Sequence, residues 1–320
     1  MEEKNFVVGV DVGGQTTKIG VVDTRGEVLT QSVIRTDTYG TDAEAYISAL
    51  AEAIKKVVDA AGKTGEIRGV GVGAPNGNYY TGEIAFAPNL AWAAKSAVPL
   101  AKMLSEACGV PVSLTNDANA AAVGEMAYGA ARGMKNFIMI TLGTGVGSGI
   151  VVDGKVLYGH DGFAGELGHT TVMRHNGRLC GCGRTGCLEA YCSAIGIART
   201  AREWLEASGQ PTPLRDLQNI TSKDIYDAAK QGDNFALRLF DYTGTLLGQS
   251  FADFVAFSAP EAIVLFGGLA RAKEFLYEPM KRAMEDNLLK IWKGKVKIVF
   301  SELKESDAAI LGASALAWEL

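Results

Sequence analysis

The feature that most restricts the fold is a pattern of strand, glycine turn, strand, turn and strand that occurs twice, about 130 residues apart. Gly13 corresponds to Gly143, and Val21-Val22-Asp23 corresponds to Val151-Val152-Asp153. After two residues drop out, Gly26-Glu27-Val28 corresponds to Gly154-Lys155-Val156. Glycine turns are common enough to recur by chance, but the order matches over about 18 positions. We therefore interpret the pattern as an internal duplication.

The duplication and the length of 320 residues together predict two domains, each large enough for its own hydrophobic core. We place a smaller N-terminal α/β domain at residues 1–116 plus 303–320. A larger C-terminal α/β domain, which includes a cysteine-rich segment, is expected at residues 117–302. Apolar periodicity and capping residues predict helices over about 42–61, 193–207, 222–231 and 234–257.

The composition excludes several classes of function. The net charge of −5, from 31 basic and 36 acidic residues, predicts no nucleic-acid partner. No apolar run approaches the roughly 20 residues that span a bilayer, so no membrane partner is expected. Met1-Glu2-Glu3 begins an acidic segment that leads directly into a strand, which argues against a signal peptide. An odd number of cysteines, five, favours the reducing cytoplasm.

Residues 165–189 carry the most specific local pattern in the chain. His169, Cys180, Cys182 and Cys187 are spaced H-x10-C-x-C-x4-C, with glycines between the thiols. One imidazole and three thiolates complete a tetrahedral shell for a structural Zn²⁺. The alternative is a group of core cysteines, but the intervening residues are too polar for a core. Such a metal would hold together two segments that each carry a glutamate, Glu166 and Glu189.

Three glycine-rich segments are candidates for binding phosphate, because glycine turns and helix N-termini present backbone N–H groups to anions. Each segment by itself is weak evidence for a phosphate site. The three together, with two in duplicated positions, suggest a nucleotide held between similar domains. Asp11 is a candidate for holding Mg²⁺, directly or through water. The segments match neither a P-loop nor a dinucleotide-binding turn. The candidate residues are Asp11, Gly13, Gly14, Gln15, Thr16, Thr17, Lys18, Thr141, Gly143, Thr144, Gly145, Gly267 and Gly268.

A second group of polar residues could bind a polyhydroxylated sugar, because carboxylates and amides match hydroxyls that both donate and accept hydrogen bonds. The group is Asn89, Asn116, Asp117, Glu166, His169 and Glu189. Phosphoryl transfer to a hydroxyl needs a carboxylate that orients it and takes its proton. Asp117, between a predicted strand and a predicted helix, is the best placed. The residues alone favour the simpler role for Asn116-Asp117 of capping that helix.

Nearly the whole chain resembles the ROK family of sugar kinases. DVGGQTTK (11–18) and LGTGVGSG (142–149) resemble the family's two phosphate motifs, and GGLA (267–270) resembles the segment near the nucleoside. GELGH followed by CGCGRTGCLE resembles its zinc signature. The resemblance implies an actin-like ATPase (ribonuclease H-like) fold, with two duplicated domains flanking a cleft. It also implies ATP with Mg²⁺, a hexose substrate and a homo-oligomer, most simply a dimer.

The resemblance assigns a role to each polar candidate. Asp117 is the expected catalytic base, and Asn89, Asn116, Glu166, His169 and Glu189 are expected to bind sugar hydroxyls. His169 would place one ring nitrogen on zinc and the other toward the sugar. If zinc positions Glu166, His169 and Glu189 together, Cys182→Ser is expected to raise the KM for sugar far more than that for ATP. Two departures from the family pattern are Gln15, where threonine is usual, and Asn76, where glycine is commoner.

The run GCLEAYCSAIGIARTARE resembles the glucokinase branch, so D-glucose with ATP is the expected substrate pair. An N-acetylglucosamine or N-acetylmannosamine kinase remains an alternative, because these enzymes share the same polar residues. The family also includes sugar-responsive transcription repressors with a helix-turn-helix segment ahead of the kinase-like part. Only about five residues precede the first predicted strand, and the charge is negative, so this reading is disfavoured. A non-catalytic sugar sensor is disfavoured by the presence of Asp117.

Overall fold

The computed structural model describes residues 4–320, apart from the side chains of residues 305 and 306. Met1-Glu2-Glu3, used above to argue against a signal peptide, lies outside the described residues. The chain forms two compact units. The first comprises Met1–Met134, Lys155–Gly165 and Glu302–Leu320, and the second comprises Lys135–Gly154 and Glu166–Ser301. Among the described helices, none combines the length and the apolar character needed to cross a membrane.

The predicted helices over 42–61, 193–207, 222–231 and 234–257 are confirmed as Ala43–Ala60, Ala194–Ala207, Ser222–Lys230 and Asn234–Ser258, with small shifts at their ends. Asp42 caps the first of these helices by accepting a hydrogen bond from Ala45 N. The strands are β1 Phe6–Val12, β2 Thr16–Asp23, β3 Val28–Arg35, β4 Ile67–Ala74, β5 Ile84–Ala85, β6 Ala97–Val98, β7 Val112–Asn116, β8 Phe137–Leu142, β9 Val146–Val152, β10 Lys155–Val156, β11 Ala262–Phe266 and β12 Lys297–Phe300. The helices are α1 Ala43–Ala60, α2 Leu100–Cys108, α3 Asp117–Tyr128, α4 Glu189–Cys192, α5 Ala194–Ala207, α6 Ser222–Lys230, α7 Asn234–Ser258, α8 Lys273–Asn287 and α9 Glu305–Leu316.

The first unit is built on a sheet with the strand order β3-β2-β1-β4-β7. β1 pairs antiparallel with β2 and parallel with β4, and β4 pairs parallel with β7. Helix α9 lies close against β1 and β4 because both strands carry glycine beneath it. A Cβ at Gly9 would lie 2.1 Å from the carbonyl oxygen of Ile310, and one at Gly71 would lie 1.9 Å from that of Ala313. A side chain at either glycine would push α9 off the sheet.

The second unit repeats this arrangement. Its strands lie in the order β9-β8-β11-β12. β8 pairs antiparallel with β9 and parallel with β11, and β11 pairs parallel with β12. One large core, which includes Ile140, Leu265, Phe240 and Phe251, joins the sheet to helices α5 to α8. Strands β8, β9, β11 and β12 therefore hold the places and directions of β1, β2, β4 and β7, which confirms the predicted duplication.

The first unit contains more of the chain than the predicted N-terminal domain. The prediction ended the first domain after Asn116, whereas the first unit also contains α3 and residues 155–165. Helix α3 belongs there because Ala120 and Val123 are buried against Ala315 and Leu316 of α9. The sequence shows α3 as an Ala-rich helix but does not show which partner its small residues contact. The later boundary, Ser301 to Glu302, falls one residue from the predicted one.

Candidate active site and metal centre

Three parallel strands of the first unit end at the same edge of the sheet, where ligands bind in open α/β sheets. The register places Asp11 of β1 beside Gly73 of β4, and Gly73 beside Thr115 of β7. β7 ends at Asn116, and Asp117 begins α3. The fold therefore brings two aspartates that are distant in sequence, Asp11 and Asp117, to one edge of one sheet.

Both aspartates are held in surroundings that oppose their ionisation. Burial raises the pKa of Asp11 to about 6, the charge of Asp117 adds to this effect, and Lys18 opposes it. The Asp117 side chain reaches solvent, but it is surrounded by protein, and this raises its pKa above the ordinary aspartate value. Backbone N–H donors, including that of Ala118, partly offset the rise. A carboxylate with a raised pKa is a better proton acceptor, as a general base requires.

The capping role of Asn116 and Asp117 is confirmed, and it leaves room for chemistry. Asn116 Oδ1 accepts a hydrogen bond from Ala118 N at 2.8 Å, and Asp117 Oδ1 accepts from the same N–H at 2.8 Å. These contacts fix the first turn of α3 and the direction of the Asp117 side chain. Capping uses one oxygen of the carboxylate, so the two readings of Asp117 are compatible.

The first glycine turn, residues 13–15, connects β1 to β2 and is closed by a hydrogen bond from Gly13 N to Thr16 O at 3.0 Å. Asn89 lies directly against this turn. A Cβ at Gly14 would lie 3.0 Å from Asn89 O and 3.5 Å from Asn89 Cβ. The structure thus brings Asn89, a predicted sugar ligand, to the phosphate-binding candidate of the same unit.

Thr17, predicted as a nucleotide-binding residue, has its side chain in the core instead. It is fully buried, and its hydroxyl hydrogen-bonds Thr36 Oγ1 at 2.8 Å and Tyr46 Oη at 2.7 Å. The reason is the alternation of β2, which points Thr17 to the covered face of the sheet. Tyr46 in turn stacks on Trp92 with ring centroids 4.6 Å apart, which anchors the segment that carries Asn89. The sequence argument missed Tyr46 and Trp92 as supports of the first turn.

A second aromatic group, also missed, supports the segment before Asp117. Tyr79 and Tyr158 stack with ring centroids 4.1 Å apart, and Tyr158 hydrogen-bonds Thr115 through its hydroxyl. Asn78 Nδ2 donates to Asp161 O at 2.6 Å. These contacts join residues 155–165 to the loop after β4, the region where Asn76 departs from the family pattern. Only the run of tyrosines at 79–80 could have signalled this contact.

In the second unit the corresponding glycine turn, residues 143–145, joins β8 to β9. The hydroxyl of Thr141, which occupies the place of Asp11, accepts a hydrogen bond from Gly147 N at 3.1 Å. Thr141 pairs with Phe266, the last residue of β11, so Gly267 follows beside the turn. A Cβ at Gly267 would lie 2.6 Å from Leu142 O. Two of the three predicted phosphate-binding segments are therefore neighbours within this unit.

The predicted metal ligands form one compact cluster. The ligand atoms of His169, Cys180, Cys182 and Cys187 all lie within 4.8 Å of one another. Cys180 Sγ is 3.8 Å from His169 Nδ1, and Cys182 Sγ is 3.7 Å from Cys187 Sγ. Ligands about 2.0–2.3 Å from a tetrahedral Zn²⁺ are separated by distances of this size, so the donor set fits zinc. Burial also raises the pKa of Cys180 to about 12, so a cation is needed to hold this thiol as thiolate.

The polypeptide around the cluster is rigidly connected. Gly183 and Gly186 adopt positive φ, where glycine is favoured, in the turns between the cysteines. Leu188 N donates to Thr170 O at 3.0 Å, so the segments of His169 and Cys187 run side by side. Arg178 fixes the cluster to α5 through Glu203 Oε2 at 2.5 Å and Thr200 Oγ1 at 2.9 Å. Arg178 was not predicted, because its partners lie more than 20 residues further along the chain.

Glu166 and Glu189 both lie beside the metal cluster, as the spacing predicted. Glu166 Oε2 is 3.9 Å from His169 Nε2, while the other ring nitrogen of His169 faces Cys180. Glu189 begins α4, two residues after Cys187, and its Oε1 is 3.5 Å from Cys180 Sγ. The six candidate sugar ligands thus fall into two sets. Asn89, Asn116 and Asp117 lie in the first unit, and Glu166, His169 and Glu189 lie in the second.

Comparison with known proteins identifies the family. The model of the ROK family matches residues 7–319. The chain belongs to the ROK family. It is 41% identical over 286 residues to a glucokinase of Halalkalibacterium halodurans, covering 88% of this chain and 85% of that protein. A glucokinase of Thermotoga maritima is 36% identical over 321 residues, covering 97% of this chain and 96% of the relative.

A solved structure confirms the expected fold class. A ROK family glucokinase from Streptomyces griseus, in complex with glucose and AMPPNP, superposes with a TM-score of 0.80 at 32% identity. The match covers 98% of this chain and all of that one. The repeated strand order of the two units of this chain agrees with the expected actin-like ATPase fold.

Proposed function

We propose that this ROK protein is a glucokinase, which transfers the γ-phosphoryl group of ATP to the 6-hydroxyl of D-glucose. The observation that carries the proposal is the position of Asp117, exposed directly after β7 with a raised pKa, at the same edge of the sheet as Asp11 of β1. Family membership and similarity to glucokinases over nearly the whole chain support the choice of sugar.

In the proposed reaction Asp117 accepts the proton of the 6-hydroxyl group, and the hydroxyl oxygen attacks the γ-phosphorus. A new bond forms between that oxygen and the γ-phosphorus, and the bond from the γ-phosphorus to the bridging oxygen of ADP breaks. Asp11 would hold Mg²⁺, which would neutralise charge on the phosphates. Backbone N–H groups of the two glycine turns would bind the phosphate oxygens.

The proposed sugar ligands orient the hexose by hydrogen bonds to its hydroxyl groups. They are Asn89, Asn116, Glu166, His169 and Glu189, together with Asp117. The proposed nucleotide ligands are the glycine-turn residues named from the sequence, except that Thr17 would act only by packing, because its hydroxyl is used in the core.

We also propose that His169, Cys180, Cys182 and Cys187 hold one structural Zn²⁺, that the protein is cytoplasmic and that it forms a homodimer. The shell of four protein ligands leaves no position for substrate, so the zinc would organise the site without taking part in the reaction. Metal analysis of the purified protein should find about one zinc per chain. Light scattering after gel filtration measures the oligomeric state.

The test of the proposed function is ADP release with glucose, N-acetylglucosamine and N-acetylmannosamine, compared as kcat/KM. We expect glucose to give the highest value. Turnover of an N-acetylhexosamine with negligible turnover of glucose would favour the alternative kinase and contradict the proposal. Sugar binding with no ADP release from any substrate would identify a sensor.

A further inference from the structure

Glu189 makes a direct contact with the second glycine turn, which its expected role as a sugar ligand does not explain. Its Oε2 accepts a hydrogen bond from Val146 N at 2.9 Å, and Val146 is the residue immediately after the turn. The close approach depends on Gly145. A Cβ at Gly145 would lie 2.3 Å from Glu189 Oε2. Any other residue at 145 would force the carboxylate away from the Val146 N–H.

The other side of Glu189 belongs to the metal cluster. Glu189 Oε1 lies 3.5 Å from Cys180 Sγ, and its backbone follows Cys187 by two residues. The Glu189 side chain is half-buried, so its hydrogen bond to Val146 N is only partly screened by solvent. One carboxylate thus connects the cysteine cluster to the start of β9.

Two further contacts hold the same turn from the same side. Ala194 N, at the start of α5, donates to Gly143 O at 2.9 Å. Gly168, within the segment that carries His169, lies so close to Val146 that a Cβ there would be 1.9 Å from Val146 O. The glycine turn and the metal cluster are therefore one packed assembly, in which Glu189 supplies the charged contact.

We propose that Glu189 is a positioning residue for the nucleotide, which fixes the second glycine turn in the geometry that binds phosphate. The inference rests on the proposed function, since it assumes that this turn binds ATP. Loss of the carboxylate leaves the Val146 N–H without its acceptor and frees the turn to move. Hydrogen bonds to charged groups are among the stronger ones in proteins, so a nucleotide affinity about tenfold weaker is expected.

The direct test is calorimetry of Mg²⁺ with AMP-PNP in the absence of any sugar. Glu189→Ala should bind AMP-PNP about tenfold more weakly than the wild type. Glu189→Gln should remain within about threefold, because its amide oxygen still accepts from Val146 N–H. Glu166→Ala is the matched control, a carboxylate on the same metal-linked assembly, and should leave AMP-PNP affinity unchanged. Wild-type AMP-PNP affinity in Glu189→Ala, with weakened glucose binding, would show a sugar ligand only and overturn the proposal.

A second variant approaches the contact from the other partner. Gly145→Ala should displace the carboxylate and weaken AMP-PNP binding even though Glu189 is intact. In the double variant Gly145→Ala/Glu189→Ala the losses should not add, because both changes remove one contact. Additive losses, or no loss in Gly145→Ala, would overturn the positioning role.

Absence of ADP release from glucose by the wild type would contradict the proposed function. Normal turnover with unchanged nucleotide affinity in both single variants would contradict only this inference.

Discussion

The two glycine turns follow the same strand of the repeated sheet, yet they differ in closure, charge and support. Gly13 N donates to Thr16 O in the first turn, whereas Gly143 N donates to Gly145 O in the second. In the first unit the last residue but one of this strand is Asp11, which pairs with Lys18 across the hairpin. In the second unit the same place is taken by the neutral Thr141, which pairs with Gly147. Both units thus have a glycine turn at this place, but only the first has a carboxylate at the strand end in position for a cation.

The supports of the two turns differ as well. The first turn is held by the core, through the hydrogen bonds of Thr17 and the stack of Tyr46 on Trp92. The second turn is held from outside the sheet, by Glu189 and the segments of the metal cluster. A turn fixed by buried aromatic packing should be insensitive to metal, whereas a turn fixed by a metal-linked carboxylate should depend on it.

The largest effect is expected at the charged edge of the first unit. Asp117→Ala should lower kcat by about 10²–10⁴-fold, the range for loss of a general base, while glucose binding measured by calorimetry is largely retained. Asn116 still caps α3 in this variant, so the fold should persist. Loss of glucose affinity with kcat nearly unchanged would assign Asp117 to binding alone.

Disruption of the metal cluster should affect the two glycine turns differently. Cys182 is exposed, so Cys182→Ser should perturb packing little and act chiefly by weakening the binding of zinc. From the sequence, the expected result is a rise of the KM for sugar far above that for ATP. With Glu189 as a positioning residue, affinities for glucose and AMP-PNP should both fall, each by about tenfold. Calorimetry with each ligand, on protein shown to be folded by circular dichroism, decides between these outcomes.

Asp11 provides a test of the charge that distinguishes the first turn. Its pKa is raised from 3.8 to about 6, so ionisation in the folded state is disfavoured and stability is lost as the pH rises between these values. Asp11→Asn should therefore stabilise the protein above pH 6 by about 2 kcal/mol, reduced from about 3 because the side chain is partly exposed. The gain should vanish below pH 3.8.

Urea unfolding across this pH range, without added Mg²⁺, measures the effect of Asp11→Asn. The same variant should lose activity, because an amide binds Mg²⁺ more weakly than a carboxylate. Thr141→Val is the matched variant at the corresponding place in the second unit, and its stability relative to the wild type should not vary with pH. A stability gain in Asp11→Asn that is independent of pH would refute the link to ionisation.

Patterns local in sequence were enough to predict much of this molecule. The spacing of His169 and the cysteines predicted a cluster whose ligand atoms do lie together, because the segment is short and its glycines permit tight turns. Strand and helix periodicity predicted the elements that place Asp11 and Asp117. Contacts between distant segments were not predictable in this way. Nothing near Glu189 in sequence signals its bond to Val146, and nothing near α3 signals its packing on α9.

Thr17 shows the same limit within a motif, and it supplies the smallest predicted effect. Its motif implied a nucleotide ligand, but its hydroxyl is shared between Thr36 and Tyr46 in the core. Thr17→Val keeps the shape and leaves both partners without a hydrogen bond, so unfolding should become easier by about 1–2 kcal/mol. AMP-PNP affinity should change by less than about threefold, since the core packing that holds the first turn is retained. A loss of nucleotide affinity as large as that in Glu189→Ala would show that the first turn depends on polar contacts as strongly as the second.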